Sequence, residues 1–203
     1  MISLSFLGLD YPSLAGERVT LRFPRSGDFA EWAELRRQSR NFLEKWEPRW
    51  APDELDLPAW RARLRRYRQE YNNGTGASFF IYRNDNGALA GGISIGNIRR
   101  GVAQSAQIGY WMGERHAGNG LMLEALRLLV PYCFSDLKLH RIEAACIPDN
   151  KRSVRVLEKA GFTREGLLHS YLRISGTWRD HYLYALIEDE YQHLATRGST
   201  IDS

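Results

Sequence analysis

The chain has 203 residues, of which 43% are hydrophobic and 26% charged, and its formal net charge is +4. This length favours a single domain over residues 1–203, with a core large enough to fold without disulfides or a structural metal. The composition is that of an ordinary soluble globular protein, and the mild positive charge favours an anionic ligand without identifying it.

No segment has the features of a targeting signal or a membrane span. Residues 1–9 are apolar but lack a basic flank, and Asp10 and Pro12 interrupt the apolar run almost at once. Cys133 and Cys146 lie far apart and outside any C-x-x-C spacing, which is typical of buried, reduced thiols. We therefore expect a cytoplasmic protein without membrane contact.

The first quarter of the chain is predicted to contain a strand, a helix and a loop. Polar and apolar residues alternate over residues 18–23, as in a half-buried strand. Asp28 is a candidate helix cap, and the apolar stripe that follows it includes Trp32. Pro48 then interrupts the chain within the aromatic-rich segment 46–50, which predicts a loop.

An amphipathic helix is predicted next. Trp60, Leu64, Tyr67 and Tyr71 recur at helical spacing, and Asn72-Asn73-Gly74 is a stop signal. The same helix carries a run of arginines, which form either a solvated basic face or a contact for an acidic partner or an RNA backbone; both interpretations stay open. These arginines are Arg61, Arg63, Arg65, Arg66 and Arg68.

Strands and helices alternate through the rest of the chain. The residues 85–87, Asp-Asn-Gly, are a hairpin turn signal. This order predicts a mixed α/β (α+β) fold around a mostly antiparallel sheet, with a β-α-β-α unit late in the chain. The predicted strands are residues 78–83, 88–98, 102–112, 141–147, 162–174 and 182–187, and the predicted helices are residues 118–134 and 151–160.

The most informative stretch is residues 108–121, where a strand runs through a glycine-bearing loop into a helix. Backbone N–H groups of such a loop and of a helix N-terminus bind phosphate oxygens, and Gly118 and Gly120 allow the backbone to approach the anion closely. The stretch has neither the Gly-Lys-Ser/Thr of a nucleoside-triphosphatase loop nor the Gly-x-Gly-x-x-Gly of a dinucleotide site. Taken alone, it is also compatible with an ordinary strand–helix turn.

A second segment identifies a family resemblance. It begins Asn150-Lys151-Arg152-Ser153 and ends Glu158-Lys159-Ala160-Gly161-Phe162. Together with Arg115-x-x-Gly118-x-Gly120, it resembles the GNAT acetyltransferase superfamily, in which a Gln/Arg-x-x-Gly-x-Gly/Ala motif binds pyrophosphate. Both motifs stand at the separation usual in that superfamily.

Further segments resemble the RimJ/RimL-type ribosomal-protein N-terminal acetyltransferases, and the RimJ branch in particular. The resemblance covers nearly the whole chain and implies acetyl transfer from acetyl-CoA to the N-terminal alanine or serine of a protein, as RimJ-type enzymes do for the fifth protein of the small ribosomal subunit. The segments are Asn41-Phe42-Leu43, Trp46-Glu47-Pro48, Gly120-Leu121-Met122, His140-Arg141-Ile142 and Trp178-Arg179-Asp180-His181.

The resemblance also implies a fold and a cofactor site. The GNAT fold has a mostly antiparallel central sheet of about seven strands flanked by helices, and its fourth strand splays open to bind the pantetheine of CoA. We place the splay at Tyr110, Trp111 and Met112, where a backbone N–H would stabilise the thioester oxyanion. The other residues expected to bind CoA are Arg115, His116, Ala117, Gly118, Asn119, Gly120, Leu121, Met122, Asn150 and Lys159.

In this superfamily the amine attacks the thioester directly, and the departing thiolate needs a proton or a hydrogen bond. Many members supply it from a tyrosine seven residues after the motif asparagine, where this chain has Leu157. Ser153 matches the serine that RimL-type relatives present to the sulfur and is our candidate for this role. The alternative is that Ser153 only satisfies backbone amides at a helix N-terminus.

The acceptor side is less defined by the sequence. Glu47 is the candidate general base, and the alternative is a surface carboxylate paired with Lys45 or Arg49. The aromatic side chains of Phe42, Trp46 and Trp50 are predicted to line the amine pocket, or alternatively only to fix the loop.

Two other functions stay open at this stage. One is acetylation of a small amine such as an aminoglycoside, a polyamine or a peptide antibiotic, and the other is CoA or ribosome binding without turnover. The five histidines show no metal-ligand spacing, so we expect no metal cofactor. A monomer and a homodimer are both compatible with the sequence.

Overall fold

Eight strands form one twisted sheet within the part of the chain that the structure describes. The computed structural model describes residues 11–198, so residues 1–9, for which we expect neither a signal peptide nor a membrane span, lie outside it. The strands are β1 Ser13–Ala15, β2 Val19–Arg22, β3 Ala77–Arg83, β4 Leu89–Arg99, β5 Ser105–Met112, β6 Arg141–Cys146, β7 Thr163–Ile174 and β8 Thr177–Ile187. The helices are α1 Phe29–Gln38, α2 Arg40–Leu43, α3 Leu57–Asn72, α4 Leu121–Pro131, α5 Lys151–Lys159 and α6 Glu188–Gly198.

The strand order is β1-β2-β3-β4-β5-β6-β8-β7. Every neighbouring pair is antiparallel except β5 and β6, which are parallel and are joined by a crossover through α4. The predicted mixed fold, with its mostly antiparallel sheet and late β-α-β-α unit, is therefore confirmed. The sheet has one strand more than the seven expected, because β1 has only three residues and too short an alternation to register as a strand.

Hydrophobic clusters cover both faces of the sheet. On one face, buried residues of α4 such as Leu126 and Leu129 pack against the inward side chains of the central strands. On the other face, Trp32 of α1 and Trp60 of α3 pack against Phe80 of β3. The sheet thus separates a side covered by α4 and α5 from a side covered by α1 and α3.

Several predicted boundaries differ from the observed ones for identifiable reasons. The third predicted strand starts at Ser105 and not at residue 102, because Val102 lies fully exposed in a turn. The helix predicted from residue 118 starts at Leu121, because Gly120 has a left-handed conformation with φ of +79° and cannot continue a helix backwards. The last strand is longer than predicted and forms, with β7, a hairpin that extends beyond the sheet.

Close backbone approach between β4 and β5 makes one glycine of β4 essential for stability. A Cβ at Gly91 would collide with the Trp111 carbonyl oxygen, whereas a Cβ at Gly96 on the same strand would meet nothing within 4 Å. We expect Gly91→Ala to lower the free energy of unfolding by about 1–3 kcal/mol, the usual cost of overpacking. Gly96→Ala should leave it unchanged within about 0.5 kcal/mol or raise it slightly. Chemical denaturation of both variants measures the difference, and equal values would contradict the register of β4 on β5.

Candidate active site

A gap opens between β5 and β6 in the middle of the sheet. The two strands pair over only three positions, Ser105 with Arg141 through Gln107 with Glu143. Beyond them β5 continues to Met112 and β6 to Cys146 without further pairing. Unpaired backbone groups on facing strand edges are a template for an added strand-like ligand. The predicted splay at Tyr110, Trp111 and Met112 falls within this gap.

The loop after β5 exposes a series of unused backbone donors. Gly118 and Gly120 have φ of +85° and +79°, a region that glycine adopts without strain. Within the described chain, the N–H groups of residues 118–123 have no assigned acceptor, and the first backbone bond of this helix is from Glu124 to the Gly120 carbonyl. Six consecutive free amides at a helix N-terminus fit a pyrophosphate.

The side chains of this loop divide between the core and the solvent. Leu121 and Met122 are buried in the core, so only their backbone N–H groups are available to a ligand. His116 is also buried, and its Nε2 accepts a hydrogen bond of 3.0 Å from the Arg115 Nε–H. Burial, and then the charge of Arg115, lower the pKa of His116, so the ring is neutral at pH 7. The His116 ring therefore fixes the loop from inside and does not face a ligand.

An additional cation, not anticipated from the sequence, stands beside this loop. Arg18 donates from Nη2 to the Asn119 carbonyl oxygen at 2.8 Å, and its backbone N–H donates to Glu124 at 2.7 Å. The start of β2 is thereby tied to the loop and to the first turn of α4. Since both contacts join segments about a hundred residues apart, sequence spacing gave no signal for them.

The N-terminus of α5 faces the gap from the other side. The Asn150 side chain caps the helix by accepting a 3.2 Å hydrogen bond from the Ser153 N–H. The Ser153 hydroxyl lies 2.7 Å from the Tyr110 hydroxyl of β5. Leu157 is fully buried one turn further on, and Lys159 is exposed at the far end of the helix. The structure thus brings Tyr110, Asn150 and Ser153 together and leaves Lys159 apart from them.

A cavity of about 330 Å³ lies on the α1 and α3 side of the same strands. We call it the acceptor pocket. Its wall includes the indoles of Trp50 and Trp111 and the carboxylates of Glu47 and Glu54. The Trp111 indole contacts this pocket and not the α5 side, so Trp111 could bind CoA only through its backbone.

Glu47 is held by Arg36, an arginine eleven residues earlier in the chain that no local sequence pattern links to it. The buried Arg36 donates to both carboxylate oxygens, at 3.2 and 2.6 Å, and the Trp50 indole N–H donates to Glu47 at 2.8 Å. The Arg36 guanidinium also lies over the Trp50 ring, 4.3 Å from its centroid. Glu47 is therefore neither a loose surface carboxylate nor a partner of Lys45 or Arg49.

The other two predicted aromatic residues lie outside the pocket wall. Phe42 packs under the guanidinium of Arg152 from α5, at 5.2 Å, and Trp46 is half-buried in the loop. The tip of the β7–β8 hairpin fixes this loop, since Ser175 donates to the carbonyl oxygens of Glu44 and Glu47. Phe42 and Trp46 thus shape the loop, whereas Trp50 lines the pocket itself.

The acceptor pocket continues into a groove of about 920 Å³ between α3 and β4. Four residues line both cavities: Arg63, Tyr67, Ser78 and Ser94. The floor exists because small residues lie side by side across three strands, with Ser78 opposite Ser94 and Ser94 opposite Gly109. Alternation of Gly92, Ser94 and Gly96 along β4 was the available sequence signal for this floor.

Within residues 11–198, no group of three or more His, Cys, Asp or Glu side chains is placed to hold a metal ion. None of the helices described is long and apolar enough to cross a bilayer. Cys133 and Cys146 are buried and unbonded.

Comparison with known proteins places this site in context. Residues 18–163 match the family model of the acetyltransferase (GNAT) domain. The chain is 37% identical to the probable N-acetyltransferase YjcK of Bacillus subtilis, over 87% of this chain and 98% of that protein. It is 33% identical to the ribosomal protein uS5-alanine N-acetyltransferase of Escherichia coli, over 88% of this chain and 92% of that protein.

The fold is similar to that of a solved RimJ. The structure of Mycobacterium smegmatis RimJ in complex with CoA-disulfide superposes with a TM-score of 0.85 at 33% identity. The match covers 93% of this chain and 96% of that chain.

The glycine at position 118 provides a direct test of the phosphate site. We expect Gly118→Val to raise the Kd for acetyl-CoA at least about 10-fold, because a branched side chain resists the left-handed conformation and obstructs an approaching anion. Gly101→Val is the matched control, since Gly101 also has positive φ and open space but lies in a distant turn. Calorimetry measures both affinities, and equal Kd values would move the phosphate site elsewhere.

Proposed function

The chain belongs to the GNAT family of acetyltransferases and uses acetyl-CoA, and from this premise we propose that it acetylates the N-terminal α-amine of a protein that begins with alanine or serine. The proposed acceptor is a ribosomal protein, as in the names of several relatives, among them a ribosomal-protein-serine acetyltransferase of Escherichia coli. The proposed compartment is the cytoplasm.

The groove is the observation that carries the choice of a protein acceptor. A small amine would need only the acceptor pocket, whereas the groove extends from it along β4 as far as Arg99. From Gly92 to Asn97 the strand rises by roughly 17 Å, at about 3.3 Å per residue, which is the length of an extended peptide of about five residues. The cavity therefore fits a chain end followed by further residues.

The acceptor pocket supports a cationic amine at the end of that chain. Glu47 and Glu54 place two carboxylates in its wall, and each is neutralised in part by an arginine, Arg36 or Arg63. We propose that Glu47 accepts the proton of the amine through a water molecule at Oε1, since this oxygen accepts one bond, from Arg36, and keeps a second lone pair, whereas Oε2 accepts from both Arg36 and Trp50. The amine then attacks the thioester carbonyl at the end of the gap.

An α-amine is also the acceptor that a weak base such as Glu47 can deprotonate most easily. An α-amine has a pKa of about 7.7–8.0, against about 10.4 for a lysine side chain. At neutral pH its deprotonation costs roughly 1 kcal/mol, compared with roughly 4–5 kcal/mol for lysine, at about 1.36 kcal/mol per unit. A carboxylate that is already paired with Arg36 is a weak base, and it is sufficient to deprotonate an α-amine.

In the proposed reaction, the remaining residues bind and orient. The free amides of residues 118–123 would hold the pyrophosphate, with Arg115 and Asn119 in the same loop. A backbone N–H of β5 within the gap would stabilise the oxyanion, and Ser153 would donate a hydrogen bond to the departing thiolate. Asn150 would act by fixing the helix turn that carries Ser153.

The assay that tests the function measures thiol release from acetyl-CoA with a panel of acceptors. We expect turnover with peptides of six or more residues that begin with Ala or Ser, and a KM that rises as the peptide is shortened to two residues, because contacts in the groove are lost. Spermidine and an aminoglycoside should be poor acceptors. Turnover confined to the small amines would leave the CoA site in place and overturn the proposed acceptor.

The role of Glu47 is tested by its pH profile. We expect Glu47→Gln to lower kcat/KM by about 100-fold at pH 7, a usual effect of losing a general base. The defect should shrink above pH 8, where the α-amine is already largely neutral. Glu54→Gln, which removes the other carboxylate of the pocket, should have a smaller effect without this pH dependence. A defect of Glu47→Gln that stays constant with pH would show that Glu47 only holds the loop in place and is not the general base.

A contact with ribosomal RNA is proposed for the outer face of α3. Arg63 and Arg66 turn towards the groove, whereas Arg61, Arg65 and Arg68 are exposed at i, i+4 and i+7, without an assigned partner among the described residues. Like charges at this spacing weaken a helix slightly, so these three arginines do not stabilise α3. Their charge complements an RNA backbone.

Replacing Arg61, Arg65 and Arg68 together by glutamine should weaken binding to an RNA hairpin and reduce the slope of log affinity against log salt concentration by about 2. Turnover of a free Ala peptide should not change. Unchanged RNA affinity in a titration by fluorescence anisotropy would contradict the contact.

A further inference from the structure

Tyr110 and Ser153 connect the two sides of the gap between β5 and β6. Tyr110 lies near the end of β5, Ser153 lies in the first turn of α5, and their hydroxyl oxygens are 2.7 Å apart. The Tyr110 ring also packs against the main hydrophobic core. The bond is therefore short and held by a side chain with little freedom to move.

The direction of this hydrogen bond follows from acidity. A phenol is a stronger donor than an aliphatic hydroxyl, so the Tyr110 O–H donates to the Ser153 Oγ. Burial raises the pKa of Tyr110, which keeps the phenol protonated and therefore a donor throughout the neutral range. The Ser153 proton is then free to point at a third group.

Among the described residues, the Ser153 hydroxyl has no assigned hydrogen bond to a charged side chain. The Ser153 hydroxyl also hydrogen-bonds to the thiol of Cys146 at the end of β6, and burial raises the pKa of that thiol to about 11. A neutral thiol is a weak acceptor. A thiolate that develops in the gap would be a much stronger acceptor for the Ser153 hydroxyl.

Leu157 explains why Ser153 is the hydroxyl group that α5 presents to the gap. The position seven residues after Asn150 carries no hydroxyl and is buried, so the helix offers Ser153 as its hydroxyl towards the gap. Serine alone is a weak donor with three rotameric positions. A donor bond from Tyr110 both selects one rotamer and polarises the Ser153 hydroxyl, since hydrogen bonds in a chain strengthen one another.

We propose that Tyr110 is a positioning residue, whose hydroxyl holds Ser153 in the orientation that stabilises the departing CoA thiolate. The inference rests on the proposed transfer reaction and on Ser153 as the group that meets the sulfur. In the step concerned, the bond from nitrogen to the acyl carbon has formed and the C–S bond breaks, with its electron pair passing to sulfur. Ser153 donates a hydrogen bond to that anion, and the proton lost by the amine goes to Glu47 or water.

Kinetics of single and double variants test the proposal. We expect Tyr110→Phe to lower kcat roughly 5- to 20-fold, with the KM values for acetyl-CoA and acceptor unchanged, as for loss of one hydrogen bond that matters in the transition state. Ser153→Ala should cost more, and the double variant should be no slower than Ser153→Ala, because Tyr110 acts only through Ser153.

Tyr184→Phe is the matched control. Tyr184 is also a buried tyrosine, and its hydroxyl donates to Glu158 of the same helix at 3.1 Å, away from Ser153. Its variant loses a tether of α5 comparable to that lost in Tyr110→Phe and should keep the wild-type kcat. Equal losses of kcat in the two variants would show that Tyr110 only anchors the helix.

A titration of bound CoA tests the same claim without any acceptor. Ultraviolet absorbance of the thiolate gives the pKa of the CoA thiol in the complex. We expect this pKa to be lower in the wild type and in Tyr184→Phe than in Tyr110→Phe and Ser153→Ala, by up to about one unit, or tenfold in the ionisation constant.

An identical thiol pKa in all four proteins would overturn the proposal, whatever the acceptor is. If the wild type turns over no peptide but the titration shows the expected difference, the proposed acceptor fails and the role of Tyr110 stands. If peptides are acetylated and Tyr110→Phe behaves as the wild type, the role of Tyr110 fails and the acceptor stands.

Discussion

The separation of β5 from β6 after three paired positions is the constraint on which the site depends. It leaves backbone groups unpaired in the middle of an otherwise continuous sheet, which is costly unless a ligand or water satisfies them. The parallel crossover through α4 sets the Gly118 loop at one end of this gap, and the N-terminus of α5 comes to its side. One departure from regular strand pairing thus brings together three features: the backbone N–H groups that would bind phosphate, the gap for a strand-like ligand, and the Ser153 hydroxyl.

The acceptor side depends on a second, smaller constraint. Buried Arg36 fixes Glu47 and stacks on Trp50, so the loop after α2 keeps its shape although it has no regular secondary structure. The β7–β8 hairpin holds the same loop through Ser175. Small residues on β3, β4 and β5 leave the groove open below α3. The amine pocket and the gap then share the strand β5: the pocket lies on the face that α1 and α3 cover, and the gap lies along the edge towards β6.

The sequence predicts the cofactor side better than the acceptor side, for a physical reason. Gly118, Gly120, Asn150 and Ser153 belong to local motifs, where short spacing decides the backbone conformation and the cap. The contacts of Arg36 with Glu47 and of Tyr110 with Ser153 arise only when distant elements pack, so no local pattern reports them. The same limit applies to β1 and α2, which are too short for periodicity.

The most direct test of this account is a crystal structure with acetyl-CoA and a hexapeptide that begins with alanine. The account predicts pantetheine in the gap along residues 108–112, with the sulfur within about 4 Å of the Ser153 Oγ, a contact distance. The peptide should have its amine in the acceptor pocket and its following residues in the groove along β4. Pantetheine outside the gap, or a peptide that leaves the pocket on another side, would contradict it.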